Sequence, residues 1–395
     1  MRFPEFSGEW KKYSFNDIAQ YKKGPFGSAL KKEIFVPKSA DSVKIYEQQN
    51  AIKKDWELGR YYISRDYFIN HMQQFIVEAG DIIVSCAGTI GEIYELPPNA
   101  VSGVFNQALM RVRINATLID KNIFIKVFSS MIDSFSKIYS NGSAIKNIPP
   151  FADLKKTNVF LPTQNEQYKI SRLISLLDER IATQNKIIEK LQSLIKGLSQ
   201  QLLSSENDWI LYRLDDLAQI KSGYSGTQVS YQTPYKVSRI ETISKHCIDI
   251  QRIGYVECIP ESYRLNVGNI LFSNINSIQY IGNTAYLDKD YGLYHGMNLL
   301  RIIPNTTIVR PRFLHLLLCT DWAINYFQTI CNKAVSQASI NQTALGKSRF
   351  PIPPMSVQQQ ICSMFELTER KLDNEQEYIS CLQQQKRYLL QKMFI

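Results

Sequence analysis

The chain contains the same unit twice, and this duplication constrains its fold more than any other feature. Residues 10–27 recur without gaps as residues 209–226, with eight identical positions that include Trp10 and Trp209. Segments 79–85 and 109–112 reappear at 267–273 and 299–302, so the two copies are offset by roughly 190 residues. Because 395 residues with 44% hydrophobic content can bury more than one core, we predict two domains built on one plan.

A long helical segment follows each copy. In residues 164–204, apolar side chains recur at alternating spacings of four and three, which is the heptad pattern of a coiled coil. The predicted seam of this first helix is Ile170, Ile174, Leu177, Ile181, Gln184, Ile188, Leu191, Ile195, Leu198 and Leu202. The second segment keeps the register with Ile361, Phe365, Thr368, Leu372, Glu375, Ile379, Leu382, Lys386, Leu389 and Met393.

The order of the segments favours an antiparallel pair of helices. The first helix leaves one domain and enters the next, whereas the second leaves the second domain and ends the sequence. In that arrangement Gln184 faces Glu375 in the middle of the seam. Either this polar pair fixes the register of the helices, as single polar seam residues do, or both residues lie at a splayed edge.

We therefore divide the chain into domain 1 (residues 1–163), spacer helix 1 (164–204), domain 2 (205–354) and spacer helix 2 (355–395). Apolar runs at 81–85 and 269–273 predict strands, and segments 122–139 and 311–332 have helical spacing. The predicted class is α+β. Two tandem α/β domains are separated by two long helices that form an antiparallel coiled coil, in a pseudo-twofold internal repeat.

Composition narrows the class of partner. Lys and Arg total 46 against 36 acidic residues, a formal charge of +10, which favours a polyanion such as nucleic acid; a basic surface kept for solubility is the alternative. Without an apolar run long enough for a signal peptide or a membrane span, we expect a cytoplasmic protein with no membrane partner. Seven cysteines without a C-x-x-C pair and four scattered histidines argue against a disulfide framework and a metal site.

Motifs of the relevant enzymes are missing from the sequence. Residues 147–151 approach the tetrapeptide that holds a flipped base in methyltransferases, but an inserted isoleucine breaks the spacing and no glycine-rich loop precedes it. A phosphate-binding G-x-x-x-x-G-K-[ST] loop is not found. The acidic pair in residues 288–290 has no counterpart in the other copy and is typical of a solvated turn. We predict no catalytic residues.

The two domain-to-helix junctions carry a family resemblance. Residues 160–170 and 350–361 are similar to the Pro-Pro-Leu-x-Glu-Gln-x-x-Ile signature of type I restriction-modification specificity subunits, although Val357 stands where Glu is usual. Segments 88–91, 106–107 and 141–146 add weaker matches in the expected order. The chain thus resembles that family over its whole length.

The resemblance implies a function as well as a fold. In this family each of two target recognition domains reads one half of a bipartite site in double-stranded DNA, and the spacer helices set the gap. The partners are two methyltransferase subunits, which modify adenine at N6 with S-adenosylmethionine, and restriction subunits, which translocate and cut DNA with ATP and Mg²⁺. The chain itself would bind no cofactor and would act in a bacterial or archaeal cytoplasm.

Residues that contact DNA are expected on the loops, with lysines on phosphates and polar side chains on base edges. An ordinary exposed loop position is the alternative for each, and for His295 a structural role. The candidates in domain 1 are Lys22, Lys23, Ser28, Lys31, Lys32, Thr89, Asn106, Gln107, Ser143 and Lys146. Those in domain 2 are Lys221, Tyr224, Ser225, Asn274, Asn276, Tyr280, His295, Asn298, Lys333, Gln337 and Asn341.

Two other classes of function remain to be separated from this one. A scaffold whose coiled coil joins two protein-binding domains would show no salt-sensitive binding to duplex DNA in the presence of partner subunits. A free-standing modification enzyme would transfer methyl groups without any partner subunit. The missing motifs argue against this class.

Overall fold

The computed structural model describes residues 3–139, 151–204, 209–243, 246–333 and 337–394. Contacts divide the chain into two compact units. Unit 1 comprises Met1–Ala182 and Ser380–Ile395, and unit 2 comprises Thr183–Ile379. Each unit therefore contains one domain with the adjoining parts of both long helices, which occupy Gln164–Leu202 and Met355–Phe394.

Short strands make up the sheets of unit 1. They are β1 (Lys11–Ser14), β2 (Ala19–Lys23), β3 (Phe35–Val36), β4 (Ser42–Tyr46), β5 (Tyr62–Ser64), β6 (Ile76–Val77), β7 (Ile82–Ser85), β8 (Ile93–Glu95), β9 (Gly103–Phe105), β10 (Leu109–Ile114) and β11 (Asn158–Leu161). The helices are α1 (Phe15–Ile18), α2 (Gln48–Lys53), α3 (Arg65–Tyr67), α4 (Lys121–Tyr139), α5 (Phe151–Lys156) and the long α6 (Gln164–Leu202).

Unit 2 repeats this plan. Its strands are β12 (Ile210–Arg213), β13 (Ala218–Ser222), β14 (Tyr235–Val237), β15 (Gly254–Val256), β16 (Ile270–Phe272), β17 (Ile275–Asn276), β18 (Thr284–Tyr286), β19 (Leu293–Tyr294), β20 (Leu300–Pro304), β21 (Asn332–Lys333), β22 (Ala338–Ser339) and β23 (Arg349–Ile352). Its helices are α7 (Leu214–Leu217), α8 (Pro311–Leu318), α9 (Asp321–Ile330), α10 (Gln342–Gly346) and the long α11 (Met355–Phe394).

Sheet topology shows the duplication directly. The four-stranded sheet β2-β10-β7-β8 of unit 1 corresponds to β13-β20-β16-β18 of unit 2, and the pair β1-β11 corresponds to β12-β23. In a second sheet, β4 lies parallel to β9 as β14 lies parallel to β19. The prediction of a duplicated α+β unit with two long helices is confirmed. Asp17 and Asp216, identical in the two copies, each accept a hydrogen bond from the backbone N–H three residues earlier and so begin α1 and α7.

One predicted helix is wrong in its extent. Segment 311–332 forms two helices, α8 and α9, because the chain turns at Cys319 and Thr320. The hydroxyl of Thr320 accepts a hydrogen bond from the N–H of Ala323 (3.3 Å) and donates to the carbonyl of Leu317 (2.7 Å). These contacts end one helix and cap the next, which apolar spacing alone does not indicate.

The long helices run antiparallel in each unit. In unit 1, Ile170 and Ile174 share a core with Leu389, and Asp178 pairs with Lys386. In unit 2, Ile195 and Leu198 pack on the core that contains Ile361 and Phe365. Every predicted seam side chain that the structure describes is buried or half-buried; that of Met393 lies outside the described residues.

Gln184 and Glu375 meet inside the seam of unit 2. The amide of Gln184 donates to the carboxylate of Glu375 and, at 3.4 Å, to its carbonyl oxygen. Gln184 is buried, and Lys371 forms an ion pair with the same carboxylate. Of the two sequence alternatives, the geometry supports a register-fixing pair, because a shifted helix would leave a buried amide without this partner.

A buried glutamine joins each domain to its long helix. In unit 1, Gln167 accepts from the N–H of Asp120 (2.8 Å) and donates to the carbonyls of Leu118 (2.8 Å) and Pro162 (3.0 Å). In unit 2, Gln358 makes the same three contacts, with Arg310 N–H (2.8 Å) and the carbonyls of Ile308 (3.1 Å) and Pro353 (2.9 Å). The glutamine of the junction signature is therefore structural.

Replacing Gln358 with Leu is expected to destabilise unit 2 by about 3 kcal/mol or more, because one N–H and two carbonyls lose their partner in a buried site. Unfolding of the full chain in urea, followed by tryptophan fluorescence, measures the effect. The control is Gln360→Leu, which adds the same side chain at an exposed position of the same helix. Equal stability of the two variants would contradict the structural role of Gln358.

Candidate nucleic-acid interface

Four loops of unit 1 meet where several strands end. Backbone hydrogen bonds join Gly24 N–H to the carbonyl of Leu109 (3.0 Å), Cys86 to Ala108 (2.8 Å) and Asn106 to Tyr46 (3.0 Å). The loops at residues 24–27, 46–48, 86–89 and 106–108 therefore form one surface, called loop cluster 1. The cluster lies at the carboxyl ends of β2, β4, β7 and β9.

Loops of unit 2 meet in the same way. Tyr224 N–H donates to the carbonyl of His295 (2.9 Å), and Ser238 N–H donates to that of Tyr294 (2.9 Å). The end of β16 lies beside the start of β20, since Phe272 pairs with Leu300. Residues 223–226, 238, 273–276 and 295–298 thus form loop cluster 2, the counterpart of loop cluster 1.

A glycine that is identical in the two copies makes each cluster possible. A Cβ atom on Gly24 would lie 1.9 Å from the carbonyl oxygen of Asn106, and one on Gly223 would lie 1.8 Å from that of Gly296. No side chain fits at such a distance. The repeated glycine therefore reflects the close approach of two loops in each domain.

The structure places most domain 1 candidates in or beside loop cluster 1. Exposed among them are Lys23, Ser28, Lys31, Lys32, Thr89 and Gln107. Two are half-buried and already form hydrogen bonds within the protein: Lys22 donates to the Gln74 side chain (2.8 Å), and Asn106 accepts from the N–H of Ala108 (3.1 Å). Ser143 and Lys146 lie outside the described residues.

Candidates in domain 2 are more dispersed. Exposed positions hold Lys221, Ser225, Tyr280, Asn298, Lys333, Gln337 and Asn341, and half-buried positions hold Tyr224, Asn274 and Asn276. Asn341 caps α10 by accepting from the N–H of Ala344 (2.7 Å). The amide of Asn276 donates to Ser273 (3.1 Å). These two side chains therefore also shape the loops that carry them.

His295 does not lie on the surface. Its side chain is 1% exposed, and its Nε2 is 3.0 Å from the carbonyl oxygen of Leu299. Burial, with a smaller effect of Arg301, lowers the pKa of His295 to about 4. The buried ring is neutral and holds the loop before β20, so the structural alternative fits it and the DNA-reading one does not.

Sequence reasoning missed a residue that shapes loop cluster 1. The side-chain amide of Gln48, at the start of α2, donates to the carbonyl of Thr89 (3.0 Å) and to that of Ala87. These contacts hold the 86–89 loop in place. Gln48 is not part of the repeated motifs, and its partner is about forty residues away, so no local signal identifies it.

A thiol and an imidazole do lie together in unit 2, but they are not an activated pair. The Sγ of Cys319 is 3.4 Å from Nε2 of His315, and Arg312 donates to Nδ1 of the same ring (2.9 Å). Burial raises the pKa of Cys319 to about 11 and lowers that of His315 to about 3. At neutral pH both are uncharged, whereas a nucleophilic cysteine needs the thiolate.

The described ranges contain neither a metal-binding cluster nor a membrane-spanning helix. Within them, no three His, Cys, Asp or Glu side chains lie close enough together to hold a metal ion. No helix there combines the length and the apolar character that a membrane span requires. The acidic pair at 288–290 is engaged locally: Asp290 pairs with Arg264 at 2.9 Å, and Asp288 accepts from Tyr291 at 2.6 Å.

Known proteins resemble this chain in sequence. The family model of the type I restriction modification DNA specificity domain matches residues 7–193 and, a second time, residues 206–384. The chain belongs to this family. The resemblance inferred from the two junctions is confirmed, and each match covers one domain with most of the helix that follows it. Specificity subunits are the non-catalytic members of type I systems, so the prediction that this chain is not an enzyme is also confirmed.

Individual specificity subunits match to different extents. The chain is 38% identical over 193 residues to a Methanocaldococcus jannaschii protein assigned as the MjaX specificity subunit, covering 47% of this chain and 45% of that protein. Against the MjaVIII specificity subunit of the same organism it is 23% identical over 375 residues, covering 82% and 83%. The first match thus spans less than half of that relative's length.

A solved structure shares the fold. The S subunit of a type I restriction-modification system from M. genitalium aligns over 100% of this chain and 99% of its own length, with a TM-score of 0.55 and 16% identity. At that identity the likeness concerns the fold alone. The alignment covers both domains and both long helices of this chain.

Proposed function

We propose that this specificity subunit reads a bipartite site in double-stranded DNA, one half with each loop cluster, while its paired long helices set the gap between the halves. The observation that carries the proposal is the duplication of one loop cluster on one scaffold with different exposed side chains. Loop cluster 1 presents Gln107 and Thr89, whereas loop cluster 2 presents Ser225 and Asn298. Two different half-sites require such a difference.

Charge supports a duplex as the ligand. The formal charge of +10 suits a polyanion, and Lys23, Lys31 and Lys32 are exposed in or near loop cluster 1. Lysines at such positions contact phosphates, while amide and hydroxyl side chains reach base edges. Binding should accordingly weaken as the salt concentration rises.

The chemistry belongs to partners in this proposal. Two methyltransferase subunits use S-adenosylmethionine to modify adenine at N6, and restriction subunits use ATP and Mg²⁺ to cut unmodified DNA. The specificity subunit itself binds none of these cofactors. It works in the cytoplasm of a bacterium or archaeon, where its DNA substrate lies.

The test is single-molecule sequencing of N6-methyladenine in a host genome, with and without this gene expressed beside its methyltransferase partner. We expect a methylated motif with two defined halves and an undefined gap that appears only when the gene is present. The control omits the methyltransferase and should show no new motif.

The same experiment separates the alternative function. If the two proteins co-purify but no gene-dependent motif appears, the proposal fails and the interaction scaffold is favoured. Methylation by the chain without its partner would instead indicate a modification enzyme.

A further inference from the structure

Phe26 is the most exposed of the large hydrophobic side chains that the structure describes. Its side chain is 89% exposed, in a loop that follows β2 and belongs to loop cluster 1. Leaving a phenyl ring in water forgoes the free energy that its burial would contribute to folding. Folding therefore does not account for this residue at this position.

Backbone contacts hold the loop on both sides of the ring. Pro25, just before it, is buried, and Gly24 is pressed against the carbonyl of Asn106. The carbonyl of Phe26 accepts a hydrogen bond from the N–H of Ala29 (2.9 Å), which begins the short turn Gly27–Ala29. The backbone on both sides of Phe26 is thus held, so little conformational entropy is lost if the ring binds a partner.

The segment that carries the ring is basic, and a polar side chain lies beside it. Residues 22–32 contain four lysines and no acidic residue. The side chain of Gln107 lies beside the same loop, with its Nε2 3.8 Å from where a Cβ on Gly27 would stand. An exposed ring in a lysine-rich segment, next to a loop residue whose amide is a candidate for base reading, fits a nucleic-acid ligand better than an apolar protein surface, because phosphates neutralise the lysines.

We propose that Phe26 inserts between neighbouring base pairs of the half-site that unit 1 reads. This inference rests on the proposed function. Apolar side chains used in this way unstack a base step and kink the duplex, and the energy needed depends on the sequence of the step, being lowest for pyrimidine–purine steps. Phe26 thereby contributes to specificity without hydrogen bonds to bases.

The second copy has no aromatic side chain at the position of Phe26. Ser225 occupies the position of Phe26 in the ungapped alignment of the two copies, and a serine cannot separate stacked bases. Unstacking at this loop is therefore confined to one half-site. The other half provides an internal reference within the same complex.

The experiment uses the complex of the full chain with its methyltransferase subunits and a duplex that carries the methylated motif. Adenines at successive steps of each half-site are replaced, one at a time, by 2-aminopurine, whose fluorescence rises on unstacking. We expect a severalfold rise at one step of the unit 1 half-site and none that depends on Phe26 in the other half. Phe26→Ala should abolish this rise and weaken binding about ten- to a hundredfold, from the value of stacking on an aromatic ring.

Two further variants make the test specific. Phe26→Leu keeps an apolar wedge and should retain part of the fluorescence rise. Val101→Ala removes an exposed apolar side chain of unit 1 that precedes β9, whereas loop cluster 1 lies beyond the end of that strand. It should leave DNA binding and fluorescence unchanged.

Different failures have different meanings. If Phe26→Ala binds the motif as tightly as the unaltered complex with the same fluorescence, the insertion is disproved while the proposed function stands. Loss of the methyltransferase subunit from the Phe26→Ala complex would also overturn the inference and assign the ring to a protein contact. If the unaltered complex does not prefer the motif over a scrambled duplex, the proposed function itself fails, and the inference with it.

Discussion

Lengthening both long helices by one heptad should widen the gap of the recognised site by up to about three base pairs and leave both half-sites unchanged. The change duplicates residues 188–194 in α6 and the facing residues 368–374 in α11. Seven residues of helix add about 10 Å, and each base pair of a duplex occupies about 3.4 Å. A heptad returns the seam to nearly the same face of the helix, with a rotation of only about 20°, so the apolar stripe stays continuous.

Sequencing of N6-methyladenine in cells that carry the variant and its methyltransferase partner measures the new gap. The matched control duplicates residues 188–194 in α6 alone, which leaves the added seam without a facing partner and should abolish the methylated motif. An unchanged gap in the double insertion would refute the idea that the paired helices set it. New bases in either half-site would refute the assignment of base reading to the loop clusters.

Acidification from pH 7 to pH 5 is expected to cost unit 2 about 4 kcal/mol of unfolding free energy through two buried histidines. Burial, with Arg301 nearby, lowers the pKa of His295 to about 4, and burial, with Arg312 nearby, lowers that of His315 to about 3, from an ordinary value of 6.5. Below pH 6.5 the unfolded chain binds protons that the folded chain does not, so stability falls with pH until the folded pKa is reached. At pH 5 this amounts to about 2 kcal/mol for each ring.

Urea unfolding of the full chain across this pH range, followed by tryptophan fluorescence, tests the effect. The double variant His295→Gln with His315→Gln should lose about 4 kcal/mol less than the unaltered chain between pH 7 and pH 5. His71→Gln, at an exposed position of unit 1, is the control for the effect of the same substitution outside unit 2. If the double variant does not fold, His315→Gln alone should remove about half of the effect. An unaltered pH dependence in both variants would show that the rings are not the cause.

Some residues that shape the fold and the loop clusters can be located from the repeats in the amino-acid sequence. Gly24 and Gly223 are identical in the two copies, and each stands where a loop approaches too closely for a side chain. The glutamine of each junction is evident from the repeated signature, although its three hydrogen bonds are not. Segment 311–332 shows the limit of periodicity, since a turn at Thr320 divides one apolar stripe between two helices.

The amino-acid sequence by itself determined the duplication, the heptad seam and the family of this protein. These features follow from the local spacing of apolar residues and from identities between the two copies, such as Trp10 and Trp209. Only the tertiary structure decided that His295 is buried and Phe26 exposed, and that Gln48 holds a loop about forty residues away. The physical reason is that burial and loop contacts depend on the pairing of strands distant in sequence, which no local pattern specifies.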